Sequence, residues 1–591
     1  MAMRKPAGGP KPYPVKVIAN PTQDELHKLA LEHTPSVIQT AHGNLCKISR
    51  NKARMAGYTY LLYPESEKAN FSGNLLDPAK GRELIELQRK YIEDKGQLIS
   101  IQGYIGIGEH AFPTEWFYTL EGANIAAMQQ ILTFPREVVE TPEQLAKDFD
   151  PVLRVVYTPD CFAKGMPGEQ AILVDLENST SYIMGPDYFG ESKKAALRML
   201  NDYVYERGGL VLHAGAKAVT KGSEHLTMTV MGLSGTGKTT TTFSKQGEVT
   251  QPIQDDMVVL WPGGGCSITE NGCFAKTQGL TDETEPVIYR GTLDPTAWVE
   301  NVYVDESGKY DFFKTKMTPA EVGRMRDILI QTGSEAANVD KYIKGEVSYD
   351  EVVDDGITKD GWDFVQWTQN GRSIIPMKAI EDAADLHHIP PIHSMGILNR
   401  DEGPDAATPG IVKFTSPEQA AGYFMLGETT KTSAAGKERG KTRSPFTQPF
   451  FPRAFGLQAV RFKELAAGMG QTDMWMMNTG YVGGGQKDVD AGRALKVKIR
   501  HSSAMLEALL TDHVKWKKDP DYGYEIVDVD APENAELLEK VPAEILNPSL
   551  FFEKNGKTDL YRDWVKRMKS ERRAFLEKFD VDPAIVKVIA S

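Results

Sequence analysis

The chain has 591 residues, room for about four domains of ~150 residues or for two large ones. Hydrophobic residues make up 41% and charged residues 25%, ordinary globular usage that excludes wholesale disorder. Its 68 Lys and Arg against 81 Asp and Glu give a net charge of -13, which argues against nucleic-acid binding through a basic surface. Cys46, Cys161, Cys266 and Cys273 form no CxxC pair, so neither a disulfide framework nor a cysteine zinc site is indicated. No run approaches ~18 consecutive apolar residues, and the opening MAMRKPAGGPKPYP lacks the apolar centre of a signal peptide. A cytoplasmic enzyme with no membrane and no nucleic-acid partner is expected.

Residues 1–14 are read as a mobile N-terminal tail. Asn20-Pro21-Thr22-Gln23-Asp24-Glu25 then punctuates the start of a helix running through Leu29 and Leu31. Leu98–Ile101 and Val152–Val156 are read as strands and Ala123–Leu132 as a helix. Ala196, Leu197, Leu200 and Val204 recur at helical spacing, and Gly208-Gly209 supplies a stop. Two strand candidates follow, Leu210–Leu212 and Leu226–Met231. This alternation predicts an α/β fold with a mixed or parallel sheet and a domain boundary near Gly208.

Gly232-Leu233-Ser234-Gly235-Thr236-Gly237-Lys238-Thr239 fits the phosphate-loop pattern G-x-x-x-x-G-K-S/T at every fixed position. An apolar strand precedes it, and Thr239–Phe243 can open a helix. Glycines let several backbone N–H groups converge on one phosphate, and the helix start adds partial positive charge. Lys238 would reach the β/γ-phosphates, and the Thr239 hydroxyl would ligate magnesium. About sixteen residues further on, Gln254-Asp255-Asp256 leads into the apolar Met257–Leu260, a placement suited to cation binding.

The octet followed by paired aspartates resembles the phosphoenolpyruvate carboxykinases of the ATP-dependent class; Thr236 stands where the GTP class usually carries a cysteine. Tyr188-Phe189-Gly190-Glu191-Ser192-Lys193-Lys194 resembles that family's Y-G-G-E-x-K-K, and Leu212-His213-Ala214 its M-H-C. Asn271–Thr277 is similar to G-G-C-Y-A-K-T, Glu285–Tyr289 to E-P-E-I-Y, and Asn370-Gly371-Arg372 to N-T-R. Ala435–Gly440 resembles A-G-T-E-R-G and Asn478-Thr479-Gly480 resembles N-T-G-W, so the order is kept over about residues 185–500.

The resemblance implies conversion of oxaloacetate and ATP to phosphoenolpyruvate, CO2 and ADP through an enolate, as in gluconeogenesis or the reverse carboxylation. It implies two mixed α/β domains with the active site in the cleft between them. Residues 15–208 would bind substrate, and residues 209–591 would form the P-loop nucleotide-binding domain. Two cations are implied: Mg2+ travelling with ATP at Thr239, and Mn2+ held by Lys194, His213 and Asp256. Lys194 is expected in the first turn of its inferred helix, where the macrodipole disfavours a cation, and a divalent ion nearby would favour its neutral form. Imidazole and carboxylate complete a mixed N/O set suited to manganese.

By the same resemblance Lys194, His213, Lys238, Asp255 and Arg372 are catalytic. Arg50, Tyr188, Lys194 and Arg372 bind substrate, with Arg54 a rival to Arg50. The nucleotide is held by Gly232 through Thr240, including Ser234, Gly235, Thr236, Gly237 and Thr240, and by Lys276 and Arg439. The fork of an arginine suits carboxylate or phosphate because it binds in two places and keeps its charge.

Departures from the family keep other readings open. Gln254-Asp255-Asp256-Met257 replaces G-D-D-E, Ala214-Gly215-Ala216-Lys217 replaces C-S-A-N, and Gly106–Phe117 lacks the arginines usual there. A P-loop kinase of the same fold, or a carboxykinase using GTP or diphosphate, is the alternative; a nucleotide-binding regulatory protein is a third. Residues 314–362 are read as an insertion with a helix over Pro319–Thr332. His387–Thr415 is read as a lid or a long surface loop, and Lys437–Arg443 as a phosphate clasp or a solvated loop. Tyr561–Phe579 is expected to pack by Trp564, Met568 and Phe575 with its cationic side chains in water.

Overall fold

The computed structural model describes residues 13–590, apart from 52, 222–223, 234–235, 244–249, 350–366, 368, 432–439, 449 and 471. Most of the expected tail, residues 350–362 of the insertion, and Lys437 to Arg439 therefore lie outside the described residues. No helix among the described residues is long and apolar enough to cross a membrane.

The chain divides into two compact units, Met1–Tyr203 with Thr269–Glu381, and Val204–Ile268 with Asp382–Ser591. The reading with one boundary at 208/209 differs from this division. Residues Thr269–Glu381 group with the first unit because Trp298–Glu300 pairs in parallel with Leu45–Lys47, far earlier in the chain. The first boundary falls inside the helix Gly190–Glu206, whose apolar positions predicted it.

In the first unit, a mixed sheet runs Lys16–Ala19, Gln97–Ile105, Phe112–Tyr118, Leu153–Thr158, Thr180–Met184, Ala171–Asp175, Thr59–Leu62, Asn74–Leu76. Leu98, Val156, Leu173 and Met184 pack with Leu84 and Ile92 of the helix Pro78–Lys95 into a core. The helix expected after Asn20 runs over Gln23–His33. Thr22 caps it, accepting from the Glu25 N–H while the Glu25 carboxylate accepts from the Thr22 N–H at 2.8 Å. A second sheet orders Gly272–Lys276, Arg372–Pro376, Trp298–Glu300, Leu45–Lys47, Val37–Gln39. The helix expected over Pro319–Thr332 is two short ones, Pro319–Arg324 and Arg326–Gln331, the first capped by Thr318.

In the second unit, the strand Glu224–Gly232 sits between Ala214–Lys221, antiparallel, and Ile392–Asn399, parallel. His387–Thr415 thus carries a core strand rather than a lid: Ile392, Met395, Ile397 and Leu398 are buried. The late helix spans Thr558–Glu577 and buries Trp564 and Met568 as expected. One cation of that helix departs from expectation. Arg572 is 2% exposed, because its guanidinium donates to Glu428 at 2.7 Å and to the Tyr423 hydroxyl at 3.0 Å.

Candidate active site

The phosphate-loop segment lies in the second unit, between the strand Glu224–Gly232 and the helix Lys238–Phe243. Gly232 is required sterically: a Cβ there would stand 2.3 Å from the Thr236 hydroxyl. Gly237 adopts φ +90°, a left-handed conformation that favours glycine. The Thr236 backbone N–H and hydroxyl both donate to the Leu233 carbonyl, at 3.2 and 2.8 Å. Ser234 and Gly235 lie outside the described residues. Thr479 donates its hydroxyl to the Thr236 carbonyl at 2.8 Å, tying the Asn478-Thr479-Gly480 turn to the loop. Thr236, Gly237, Thr240, Arg400 and Thr479 border a cavity of about 150 Å³.

Lys238, the first residue of the helix, extends to Asp256, its Nζ 3.2 Å from both the backbone carbonyl and Oδ1. His213 Nε2 is 3.0 Å from the same Oδ1. On its other side, His213 Nδ1 is 3.0 Å from the Phe446 carbonyl. A carbonyl only accepts, so Nδ1 carries the proton of that contact and neutral Nε2 presents its lone pair to Asp256. Two acceptors so placed are reconciled by a cation, either a proton or a metal ion, which is the donor chemistry a divalent site uses. Asp255, 2% exposed, precedes Asp256 at the end of the strand Thr250–Gln254. Among the described residues, no three His, Cys, Asp or Glu side chains form a metal cluster.

The first unit holds Lys194, Tyr188, Arg372, Lys276 and Arg50. Lys194 is 4% exposed and is the fifth residue of its helix, past the first turn where the macrodipole acts most strongly. Asp187 and Glu300 set the turn before that helix. Glu300 Oε1 accepts from the Phe189 N–H at 3.1 Å, and the Asp187 carboxylate accepts from the backbone N–H groups of Arg50 and Asn51. Burial lifts the Glu300 carboxyl to about 8. Asp187 lies 3.5 Å from Lys47 Nζ, which also donates to the carbonyls of Pro35 and Ile48. Burial raises the Tyr188 phenol above its usual range, opposed by the charges of Arg372 and Arg54.

Arg372 and Lys276 are register partners on adjacent antiparallel strands. Arg372 lies 5.4 Å over the Phe274 ring, and Lys193 lies 4.8 Å over the same ring. Lys276 keeps exposed area, yet it stands among enough structure that desolvation first, and the Arg372 charge second, lower its amine to about 8. Arg50 is held by protein groups, donating to the carbonyls of Pro159 and Gly185 and pairing with Asp160 at 3.0 Å. Arg439 lies outside the described residues. Lys47, Asp187, Glu300 and Phe446 had no sequence signal, since each meets a partner remote in the chain.

The family model for phosphoenolpyruvate carboxykinase matches residues 15–326 and 345–533. The chain belongs to the phosphoenolpyruvate carboxykinase family. A protein of Afipia carboxidovorans with the name phosphoenolpyruvate carboxykinase (ATP) is 29% identical over 70% of this chain and 66% of its own length. Proteins of that name from Rhizobium rhizogenes and a Bradyrhizobium species are each 28% identical, over 73% and 70% of this chain and 69% and 66% of their own. The chain thus spans about two thirds of the length of the carboxykinases it matches. Residues 327–344 and those after 533 lie outside the carboxykinase match, and Arg572 is among them.

Proposed function

We propose that the protein catalyses the ATP-dependent conversion of oxaloacetate to phosphoenolpyruvate, CO2 and ADP. The observation that carries this reading is the convergence on one carboxylate, Asp256, of the phosphate-loop lysine Lys238 and of His213. A plain phosphate-loop protein needs the lysine; the added imidazole supplies the second cation site that enolate chemistry uses. The names of the relatives favour ATP over GTP or diphosphate.

In the reaction, the bond from C3 of oxaloacetate to its departing carboxylate breaks and its electron pair remains as the enolate. The enolate oxygen then attacks the γ-phosphorus, and the bond to the β-phosphate oxygen breaks to release ADP. Lys238, Thr239, Thr240 and the N–H groups of the phosphate loop would hold the triphosphate, and the Thr239 hydroxyl would hold Mg2+. Lys194, His213 and Asp256 would hold the second divalent ion, whose charge stabilises the enolate. Arg372 and Lys276 offset charge spreading over the transferring phosphoryl group. Tyr188 would orient the substrate, and Asp255, buried and next to Asp256 in the chain, would take part in the catalytic step.

The test is turnover of purified protein with phosphoenolpyruvate, bicarbonate, Mn2+ and Mg2+, with ADP, GDP or phosphate offered in parallel and oxaloacetate followed. Oxaloacetate formed with ADP supports the reading, and product only with another acceptor replaces ATP. No product, with nucleotide bound, moves the assignment to a kinase with a different acceptor. Lys238→Ala should lower phosphoryl transfer by about 10²–10³-fold with an unchanged circular-dichroism spectrum.

A further inference from the structure

Arg400 follows directly on the strand Ile392–Asn399, in the second unit with the phosphate loop. Its backbone is fixed, since its carbonyl accepts from the Thr430 N–H at 2.7 Å. The carbonyl of Asn399, one residue before, accepts from the Thr479 N–H at 2.7 Å, and the Thr479 hydroxyl is the group that holds the Thr236 carbonyl of the loop. The arginine and the phosphate loop therefore share one tether. The Arg400 guanidinium stands 5.5 Å over the Tyr481 ring. Its Nη2 lies 3.3 Å from the Glu402 carboxylate, and its Nε is buried with no hydrogen-bond partner among the described residues. A guanidinium carries five N–H donors, and an ion pair of that length between partly exposed groups is worth little. The fork is only partly used.

Arg400 lines the cavity of about 150 Å³ beside the loop, several times the ~30 Å³ share of one water. Gly237, Thr240 and Thr241 wall it on the loop side. Lys238 and Thr239 do not line it, and Lys238 reaches Asp256 instead. In a phosphate loop the lysine serves the β- and γ-phosphates and the hydroxyl after it serves magnesium, while the loop N–H groups cradle the α- and β-phosphates. A cavity bordered by loop residues other than those two belongs to the α-phosphate end of the nucleotide. Its remaining walls include Ser502 and Ile499, the latter an apolar side chain left 59% exposed. A phosphate ester, charged at one end and carrying a less polar sugar at the other, matches that division.

We propose that Arg400 binds the α-phosphate of the nucleotide, a contact that rests on the phosphate loop being the nucleotide site proposed above. It supplies positive charge where the loop lysine does not reach, and its planar fork can donate to two phosphate oxygens at once. The α-phosphate is common to the substrate and product nucleotides, so Arg400 sets the affinity for both and takes no part in transfer of the γ-phosphate.

The test is calorimetry of ADP and ATP binding to the full chain with Mg2+ and without oxaloacetate, with AMP read by competition against ADP. The proteins are the wild type, Arg400→Met, Arg400→Lys and Lys238→Ala. Arg400→Met should weaken all three nucleotides by about tenfold or more, with Arg400→Lys intermediate. Lys238→Ala should weaken ADP and ATP but move AMP less than about twofold. In turnover, Arg400→Met should raise the KM for ATP about tenfold while kcat and the KM for oxaloacetate move less than about twofold, a split that a merely structural role would not produce. Affinities close to wild type in folded Arg400→Met, or a loss confined to ADP and ATP, overturns the proposal. Should Arg400→Met fail to fold, Arg400→Gln, which keeps a donor toward Glu402, decides. Nucleotide binding that depends on Arg400 in a protein without carboxykinase turnover would retain this contact and lose the reaction proposed above. No nucleotide binding to the wild type would overturn the contact itself.

Discussion

Lys276 and Arg372 face one another across adjacent antiparallel strands, two cations in register where a cross-strand pair ordinarily carries opposite or neutral groups. On the far side of Arg372 the register partner is Glu300, and beyond Glu300 comes Lys47, so four charged residues form a row across four strands. Glu300 is fully buried and raised to about 8, so near neutrality it contributes less negative charge to the row than a surface glutamate. The arrangement holds two positive groups close together, an unfavourable placement unless an anion such as a phosphoryl group comes between them.

The like-charge contact predicts a measurable titration. Lys276 should lose its proton near pH 8, and Arg372→Gln, by removing the repelling charge, should raise that midpoint. Mass-spectrometric readout of amine acylation against pH measures it directly. An unchanged midpoint in the variant would assign the whole shift to desolvation.

His213 should matter through its metal affinity. His213→Asn keeps an Nδ1-like amide donor for the Phe446 carbonyl and removes the Nε2 lone pair that faces Asp256. The expected result is a manganese requirement raised by about 10–100-fold, read both in turnover and in manganese binding followed by electron paramagnetic resonance. Unaltered binding would remove His213 from the ligand set.

Lys217 predicts a stability slope. It is 1% exposed, and its ammonium donates to the Thr241 carbonyl of the loop helix at 2.8 Å. Burial pulls its pKa from 10.5 down to about 7. Between those values the unfolded chain binds more protons than the folded one, so this residue makes stability rise as pH climbs from about 7 toward about 10.5. Urea unfolding at about pH 7 and about pH 9 should show that rise in the wild type and a smaller one in Lys217→Met. Equal slopes would mean that the folded state keeps the lysine charged.

Glu428 is the partner of two arginines, Arg572 and Arg443. Glu428→Gln should destabilise the protein by about 3 kcal/mol, because it leaves the Arg572 guanidinium buried without its counter-charge. Adding Arg572→Met should recover much of that loss, as measured by chemical denaturation. The pairing also predicts an acid limb. The two guanidinium charges overcome the cost of burial and hold the Glu428 carboxyl at about 2. Its contribution is therefore complete above about pH 4.5 and is lost as pH falls toward 2.

The local elements were legible from the sequence because their signals are local. The helix Ala123–Leu132 was expected at those bounds, and Gly208, at φ +89°, ends the one before Leu210 as its glycine pair implied. The strand and helix flanking the phosphate loop followed from an apolar run, three glycines and a lysine. The role of His387–Thr415 was misread because its Pro, Gly and Asp content dominates the composition, while the eight residues of the strand Ile392–Asn399 decide the structure.

By itself, the sequence determined which short segments fold as helix or strand, and it located the phosphate-loop octet and the aspartate pair. Those properties depend on neighbours within a few turns. Only the tertiary structure decided which groups complete them. His213 meets the Phe446 carbonyl 233 residues away, Thr479 meets the Thr236 carbonyl across 243, and Arg572 meets Glu428 across 144. Such partners are chosen by sheet register and helix packing, where burial of apolar side chains fixes which backbone and charged groups come together. No periodicity along the chain records that choice.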